Sequence, residues 1–329
     1  MVPVLSRLGI SRLPIPVPFP EAGGPANVYA IEEEGGGLAL FDAGIGTAEG
    51  ERAMLAGFAK LGRELREVRR IFVSHGHLDH YGYARAVQEA SGAPAFCHER
   101  DHGKLTHRDR SVESQGRHAD YLRRLGAPRE VDELVARFWV TMHQMSRPLE
   151  EVRPLAEGTR LRFARFEAEV LHLPGHTPGL TCLWIASAGV LLSDDHLLEL
   201  VSPNPLLDLE GGKEPRHRAL VEYLRSAARA RALPVKLVAP GHGPPFENHV
   251  RVIDTLLAFY ERRQAKIGAL LAEHGPQTAA ELAPRVFPRA RPHQQYLILS
   301  EVVGNLEVLE DRGRVRRSER GGRFLFEAV

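Results

Sequence analysis

The sequence predicts an α/β fold followed by a mainly helical C-terminal region. Short β-prone apolar runs alternate with longer segments of helical periodicity up to about residue 240, which is typical of strands joined by helices. Beyond residue 248 helical periodicity dominates, and two short β-prone runs around Gly321-Gly322 then end the chain. A length of 329 residues suits one large domain with an appendage.

The first part of the chain predicts a hairpin and then alternating helices and strands. Glycines 35–37 separate two β-prone runs, and such glycines are typical of a tight turn. The predicted strands lie at residues 27–31, 38–41, 71–73 and 94–97, and the predicted helices at residues 49–65 and 83–90. The proline-rich segment at residues 1–20 predicts no helix.

Residues from about 98 to 150 carry long helical patterns with no β-like run between them, which predicts a helical insertion. Strands are predicted again at residues 169–173, 180–185, 190–192 and 236–239, with a helix at 215–232. In the C-terminal region we predict helices to His274, at 279–286 with Thr278 as N-cap and at about 294–310, and then a hairpin at 315–326.

Composition excludes several classes of protein. With 43% hydrophobic residues, 26% charged residues and a net charge of +1, the chain is neither disordered nor a basic nucleic-acid-coating protein. Cys97 and Cys182 are far apart, so reduced thiols are expected rather than a disulfide framework. Neither an export signal nor an apolar run of about 18 residues is present, so we expect a soluble, cytoplasmic protein without a membrane span.

A histidine-rich motif follows the strand predicted at residues 71–73. Residues two apart in an extended chain face the same way, so His75 and His77 can offer two imidazoles to one cation. Asp79 and His80 follow as the chain turns towards the next helix, and they can supply an oxygen and a nitrogen to a neighbouring cation. Zinc accepts this mixture of ligands.

Three further candidate ligands each follow a strand-like run. They are His176 in the segment 173–179, Asp195 in the segment 192–196 and His242 in the segment 240–243. Loops at strand ends are where α/β scaffolds bring functional side chains together. A lone histidine is usually structural, but packing alone gives no reason to place so many imidazoles at strand ends. The motifs together therefore predict a metal site.

The ordered series of motifs resembles the metallo-β-lactamase superfamily, beginning with Asp42 and the HxHxDH motif and covering roughly residues 12 to 248. This resemblance implies a four-layered αββα sandwich as the catalytic domain, residues 1–248, with the helical insertion at about 98–150. Residues 249–329 resemble a winged-helix-like domain.

The resemblance also implies a two-metal site. His75, His77 and His176 would hold the first metal, Asp79, His80 and His242 the second, and Asp195 would bridge them. Asp194 stays an alternative bridge, and Asp42 is expected to orient a ligand imidazole through its free N–H. Two Zn²⁺ ions are expected, with Fe or Mn as alternatives.

Such a site implies hydrolysis by a hydroxide shared between two cations, with Asp79 also able to carry a proton. The leading hypothesis is a metallo-hydrolase acting on an ester, thioester, lactone or similar bond of a small molecule. The alternative is an endoribonuclease or phosphodiesterase, because small β-lactamase-like endoribonucleases resemble the chain in the proline-rich entry, the metal motifs and the tail. A third hypothesis is a nucleic-acid-binding module in which the metal only stabilises the fold.

Two charged segments leave alternatives open. The arginines around the C-terminal hairpin are compatible with nucleic-acid binding, but acidic neighbours such as Glu310 and Glu319 dilute them. We favour packing of this region against the catalytic domain or a homodimer surface. In the insertion, which is expected to cover the active-site mouth, one run offers either an anion-binding surface or a solvated helix face. That run comprises Arg100, His102, Lys104, His107 and Arg108.

Overall fold

Two mixed β-sheets lie face to face in the computed structural model, which describes residues 2–107, 112–208, 216–289, 291 and 294–329. Within this part of the chain the first sheet has six strands in sequential order, β1 (Ile10–Ile15), β2 (Ala26–Glu32), β3 (Leu38–Phe41), β4 (Val68–Phe72), β5 (Ala95–Cys97) and β6 (Val152–Pro154). The second sheet contains β7 (Arg160–Arg162), β8 (Glu167–His172), β9 (Thr181–Ile185), β10 (Val190–Asp194) and β11 (Leu237–Pro240).

Helices cover the outer face of each sheet. The short helix α1 (Val2–Arg7) precedes β1, so the prediction of no helix at residues 1–20 is wrong for the part before Pro14. The first sheet is covered by α2 (Ala48–Lys60), α3 (Leu78–Tyr81) and α4 (Ala84–Ser91), and the second by α8 (Ala219–Arg231) and the N-terminal half of α9 (His249–His274). The predicted four-layered αββα sandwich is confirmed.

Alternation along the strands produces these layers. In β2, Val28 packs with the helices outside the first sheet, whereas Tyr29 packs against the second sheet. In β9, Leu183 faces the first sheet and Trp184 packs against the outer helices. Because successive side chains of a strand point to opposite faces, a strand buried on both faces is apolar throughout.

The insertion and the C-terminal region share one hydrophobic cluster. The insertion contains α5 (His102–Leu105), α6 (Val112–Arg124) and α7 (Arg129–Met145), and the C-terminal region contains α9, α10 (Ala279–Val286), α11 (Gln295–Asp311), β12 (Val315–Arg320) and β13 (Arg323–Ala328). Leu122 and Val131 of the insertion pack with Leu299 and Phe326 of the C-terminal region. The expected helical insertion and the expected order of three helices and a hairpin are both present.

Helix α11 is buried along most of its length. Every residue from Leu299 to Leu309 is buried, including the polar ones. Glu301 is paired with Arg263 of α9 at 2.7 Å, and Glu307 is paired with Arg216 just before α8. The Glu307 pair therefore joins α11 to the sandwich, and the Glu301 pair holds α11 to α9, so neither carboxylate faces solvent.

Several boundaries differ from the prediction for local reasons. Helix α2 ends at Lys60 rather than at residue 65, because Gly62 takes a left-handed conformation with φ 65° and stops the helix. The missed strand β1 contains Pro14, which a sheet tolerates at its edge because no N–H is needed there. The predicted start of α8 at residue 215 lies outside the described residues. Thr278 caps α10 as predicted, since its hydroxyl accepts a hydrogen bond from the Glu281 N–H at 3.2 Å.

Both cysteines are buried free thiols, as expected. Burial raises the pKa of Cys97 and of Cys182 well above the usual thiol range, so neither is a thiolate near neutral pH. Among the described residues, no helix has the length and apolar character needed to cross a membrane.

Candidate metal centre

The predicted ligands lie on segments that follow the carboxyl ends of strands, with Asp79 and His80 in the short helix α3. Strand β4 leads into the segment 73–80, and β8 leads through Leu173 and Pro174 to His176. Asp195 directly follows β10, and His242 follows β11 by two residues. Asp42, directly after β3, has a left-handed backbone with φ 65° and lies beneath these loops. The sandwich thus brings separate segments to one edge.

The first group consists of His75, His77 and His176. The Nδ1 atom of His77 lies 3.0 Å from Nε2 of His75 and 2.9 Å from Nε2 of His176. The three rings stand close to perpendicular, with interplanar angles of 78° and 89° to His77. Ring nitrogens about 2.0–2.1 Å from a tetrahedral zinc lie roughly 3.3 Å apart, so this convergence matches the spacing around a single cation.

The second group consists of Asp79, His80 and His242. The Oδ2 atom of Asp79 lies 3.4 Å from Nε2 of His242, and its Oδ1 lies 3.8 Å from Nε2 of His80. All three side chains are almost fully buried. The ligand atoms of the group lie within 4.8 Å of one another, which places a carboxylate and two imidazoles around a second point.

Asp195 lies between the two groups. Its Oδ2 is 3.4 Å from Nε2 of His176 and 3.5 Å from Nε2 of His80, and its Oδ1 is 3.6 Å from Nε2 of His242. Each group therefore contributes at least one imidazole within 3.6 Å of the same carboxylate.

Asp194 lies behind the imidazoles. Its backbone is left-handed, with φ 48°, and its side chain is fully buried. Its oxygens contact Nδ1 of His75 at 3.0 Å and Nδ1 of His80 at 3.3 Å, on the ring edges away from Asp195. Although His75, His80, Asp194 and Asp195 also lie close together, the two aspartates approach opposite sides of the rings. Of the two alternatives, Asp195 alone faces Nε2 atoms of both groups, whereas Asp194 contacts Nδ1 atoms on the far edges of the rings.

The remaining ring nitrogens are held by acceptors outside the two groups. His80 Nδ1 is 3.1 Å from Oδ2 of Asp42, as expected for a carboxylate that orients an imidazole. His176 Nδ1 is 3.1 Å from the Asn204 carbonyl, and His242 Nδ1 is 3.1 Å from the Gly24 carbonyl. Such contacts fix the tautomer and leave Nε2 as the free lone pair.

Protonation of the site follows from burial and neighbouring charges. Burial and the nearby His176 and His75 hold the pKa of His77 well below its usual range, so its ring is neutral. Burial alone would raise the pKa of Asp195, but His242 and His80 outweigh burial and hold it well below the usual range. Neutral imidazole and ionised carboxylate are the forms that bind metal, so His77 and Asp195 are ready to bind. Burial alone would lower the pKa of His80 and of His242, but neighbouring aspartates outweigh burial and raise the first well above its usual range and the second to about 9. These two rings would therefore release a proton on binding a cation.

Orphaned polar atoms show that the arrangement fits cations. His80 Nε2 and Asp195 Oδ1 are buried and have no hydrogen-bond partner among the described residues. An unsatisfied buried polar atom costs about 1–3 kcal/mol, so two of them at one point indicate a ligand. Gly241 adds a steric requirement, because a Cβ there would lie 2.3 Å from Oδ1 of Asp195.

Comparison with known proteins agrees with this geometry. Residues 22–242 match the family model described as "Metallo-beta-lactamase superfamily". The chain belongs to the metallo-beta-lactamase superfamily. Together with the cluster of histidines and aspartates, this match identifies a metallo-hydrolase of that superfamily.

Proteins similar to this metallo-beta-lactamase superfamily member include "Probable metallo-hydrolase YqjP" of Bacillus subtilis (strain 168), 26% identical over 96% of this chain and 97% of that protein. Metallo-beta-lactamase family protein TTHA1429 from Thermus thermophilus has 29% identity and a TM-score of 0.82, covering 98% of this chain and 99% of that one. A beta-lactamase domain protein from Burkholderia ambifaria has 24% identity and a TM-score of 0.79, covering 97% and 92%. These similarities therefore extend into the C-terminal region.

Within this superfamily member, all seven predicted ligands lie in the two groups or between them. The charged run of the insertion was expected to form either an anion-binding surface or a solvated helix face. Two of its positively charged side chains are instead paired inside the protein. Lys104 binds Asp101 at 2.8 Å and also Asp208, and Arg100 binds Glu222 at 2.9 Å. These two side chains therefore form neither an anion site nor a solvated face. Arg108 lies outside the described residues.

Sequence reasoning missed the two carbonyl groups that hold His176 and His242. Asn204 and Gly24 act through backbone oxygens, which any residue carries. Neither residue lies in a recognisable motif, so no signal in the sequence could have found them.

Proposed function

We propose that this protein is a binuclear metallo-hydrolase that cleaves an ester, thioester, lactone or similar bond of a small molecule. One cation would be held by His75, His77 and His176, the other by Asp79, His80 and His242, with Asp195 shared. The position of the Asp195 carboxylate between two imidazole groups carries this proposal. Imidazole and carboxylate ligands favour Zn²⁺, with Fe or Mn as alternatives.

Divalent cations in these positions would lower the pKa of a water and polarise the bond that it attacks. The protein's own contribution is to orient the imidazoles through acceptors on their other ring nitrogens. Asp79 is the carboxylate proposed to accept a proton from the attacking water and to pass it to the leaving group. Burial alone would raise its pKa, but His80 and His242 outweigh burial and lower it, so the carboxylate is ionised and ready to accept.

A small molecule is favoured over nucleic acid as substrate because of the C-terminal region. A winged helix normally inserts its third helix into the major groove of DNA, and here the third helix, α11, is buried. On the hairpin, Arg316 is paired with Glu327 at 2.7 Å and Arg317 lies 3.5 Å from Glu310. These pairs occupy two arginines of the hairpin, and the ion pairs of α11 with Arg216 and Arg218 support the interpretation that the region packs against the catalytic sandwich.

Metal content and a substrate panel test the proposal. Elemental analysis is expected to find close to two equivalents of metal in reconstituted wild type and a clear loss in His75→Ala. The matched control is His274→Ala, since His274 lies at the end of α9, away from the site. Lactones, thioesters, phosphodiesters and RNA form the panel. Less than about half an equivalent in wild type, with no gain on reconstitution, would contradict the metal site.

The nuclease alternative needs its own variant. Deleting residues 250–329 would expose the cluster shared with the insertion, so lost activity could simply report unfolding. The exposed Arg320 and Arg323 can instead be changed together to glutamate. RNA cleavage that falls in this variant, with no small-molecule activity in wild type, would favour the nuclease.

A further inference from the structure

A buried carboxylate of the insertion lies between two loops of the metal centre. Asp101, just before α5, is fully buried. Its Oδ2 accepts hydrogen bonds from the Gly76 backbone N–H at 2.9 Å and from the Thr177 hydroxyl at 2.7 Å. Its Oδ1 accepts from Nζ of Lys104 at 2.8 Å. The carboxylate thus makes three hydrogen bonds.

The two donors to Oδ2 identify the loops. Gly76 stands between His75 and His77, and Thr177 directly follows His176. The Oδ2 atom of Asp101 therefore links the two loops that carry His75, His77 and His176. These three hydrogen bonds do not reach the second group of Asp79, His80 and His242.

Close packing makes this link stiff. A Cβ at Gly76 would lie 2.5 Å from Cδ of Lys104, so this loop lies directly against the first turn of α5. A Cβ at Gly179 would lie 2.8 Å from Cβ of Asp101, so the loop after His176 packs equally closely. Glycine at both positions permits the close approach.

Lys104 extends the network to a third support of the site. Its Nζ also binds Asp208, in the segment whose Asn204 carbonyl holds Nδ1 of His176. Burial alone would raise the pKa of Asp101, but Lys104 and Thr177 outweigh burial and hold it well below the usual range. The carboxylate is thus ionised, and both oxygens are acceptors.

We propose that Asp101 is a positioning residue that sets the spacing of His75, His77 and His176 and thereby the affinity of that group for its cation. The inference rests on the metal site proposed above. Asp101 does not bind the cation itself, because its oxygens are occupied by donors from the two loops and Lys104. Residues that orient metal ligands typically contribute 10–100-fold in metal affinity.

Calorimetric titration of the chelator-stripped protein with Zn²⁺ tests this role. Reference variants His176→Ala and His242→Ala show which binding event belongs to which group. In Asp101→Ala the event of the first group is expected to weaken by about 10–100-fold, with the other event within a few-fold of wild type. A second pair of variants isolates one hydrogen bond: Thr177→Val should weaken the first event several-fold, and Thr177→Ser, which keeps the donor, should restore it.

The matched control is Glu33→Gln, which breaks a largely buried ion pair with Arg70 next to the β2–β3 turn, at the opposite end of the first sheet from the metal loops. It is expected to lower the melting temperature and leave both binding events unchanged. If Asp101→Ala fails to fold, the Thr177 pair decides the question.

Each result of the titration separates the two proposals. Wild type that binds no Zn²⁺ contradicts the proposed function itself. Wild type that binds two equivalents, with unchanged affinities in Asp101→Ala and Thr177→Val, contradicts the positioning role alone. Equal weakening of both events in these variants also contradicts it, since a general loss of stability would then explain the effect.

Discussion

The two groups of the metal centre differ in where their support comes from. The first group, His75, His77 and His176, is held partly from outside the sandwich, by Asp101 of the insertion and by the segment 203–208. The second group is held from within the sandwich. Asp42 at the end of β3 contacts His80, and Gly24 before β2 contacts His242. Parts of the chain outside the sandwich therefore support the first group, whereas the sandwich itself supports the second group.

The segment 203–208 depends in turn on the C-terminal region. The hydroxyl of Tyr260 donates to the Pro203 carbonyl at 3.0 Å, and Nδ2 of Asn204 donates to the Leu297 carbonyl at 3.2 Å. The hydroxyl of Tyr296 donates to the Leu207 carbonyl at 2.8 Å. Helices α9 and α11 therefore fix the carbonyl that orients His176.

The largest expected effect is that of Gly241→Ala, which should weaken Zn²⁺ binding at both groups alike. In Gly241→Ala the new Cβ would meet Oδ1 of Asp195 at 2.3 Å and Cε1 of His80 at 3.1 Å. Because Asp195 faces both groups, we expect both Zn²⁺ binding events to weaken by at least about 10-fold in calorimetry.

The control for this variant is Gly268→Ala, at a position in α9 where an added Cβ meets nothing within 4 Å. It should stabilise the helix by up to about 1 kcal/mol and leave metal binding as it is. Unchanged affinity at either event in Gly241→Ala would mean that Asp195 is not shared in the way proposed.

A smaller and more selective effect is expected at Asp42. Asp42→Asn weakens the acceptor for Nδ1 of His80, so the second group should lose about 10-fold in Zn²⁺ affinity. The first group should lose less, because Asp42 reaches His75 only indirectly, through the hydroxyl of Ser74 and through Asp194. Titration alongside Asp101→Ala should give opposite patterns, and matching patterns would show that the two halves are not supported separately.

The smallest expected effect concerns His98, at the start of the insertion, and the dependence of the free energy of unfolding on pH. His98 stacks on His172 with ring centroids 3.8 Å apart, and burial together with that neighbour lowers the pKa of His98 to about 4. Because this pKa lies below that of the unfolded chain, the neutral ring contributes stability above about pH 6.5 that is lost as pH falls towards 4.

Urea unfolding at pH 7 and pH 5 measures this contribution. His98 is partly exposed, so after allowance for solvent screening we expect the loss to be about 1 kcal/mol. In His98→Phe the difference between the two pH values should shrink by that amount. An identical difference in both proteins would show that His98 does not titrate in this window.

Local patterns predicted most of the sandwich and singled out the seven proposed ligands, which the fold brings together. Strands such as β10 and β11 are short, mainly apolar runs followed within two residues by Asp195 or His242, so both signals lie close together in the sequence. The choice between Asp194 and Asp195 needed coordinates, because adjacent aspartates differ only in the ring edges that they face. Strands β6 and β7 were not predicted, because a strand of three residues is too short to show a recognisable alternation of apolar and polar residues.

Long-range contacts explain what the sequence could not predict. Asp101 and Asn204 carry no motif, and their roles depend on donors far away in the chain, such as Thr177 and the N–H group of His176. The polar residues of α11 would be assigned to a solvent face by periodicity. They are buried because Arg263 and Arg216 come from other elements to pair with Glu301 and Glu307.

The burial of α11 has a consequence for how the protein is made. A ribosome completes the sandwich strands at Pro240 and the last proposed ligand at His242, well before residues 295–311 emerge. N-terminal parts of a chain generally fold first during synthesis. Until α11 docks, the Leu297 carbonyl cannot hold Asn204, and His176 lacks its oriented acceptor. The nascent chain should therefore complete its second group before its first, and the two proposed cations would be bound in that order.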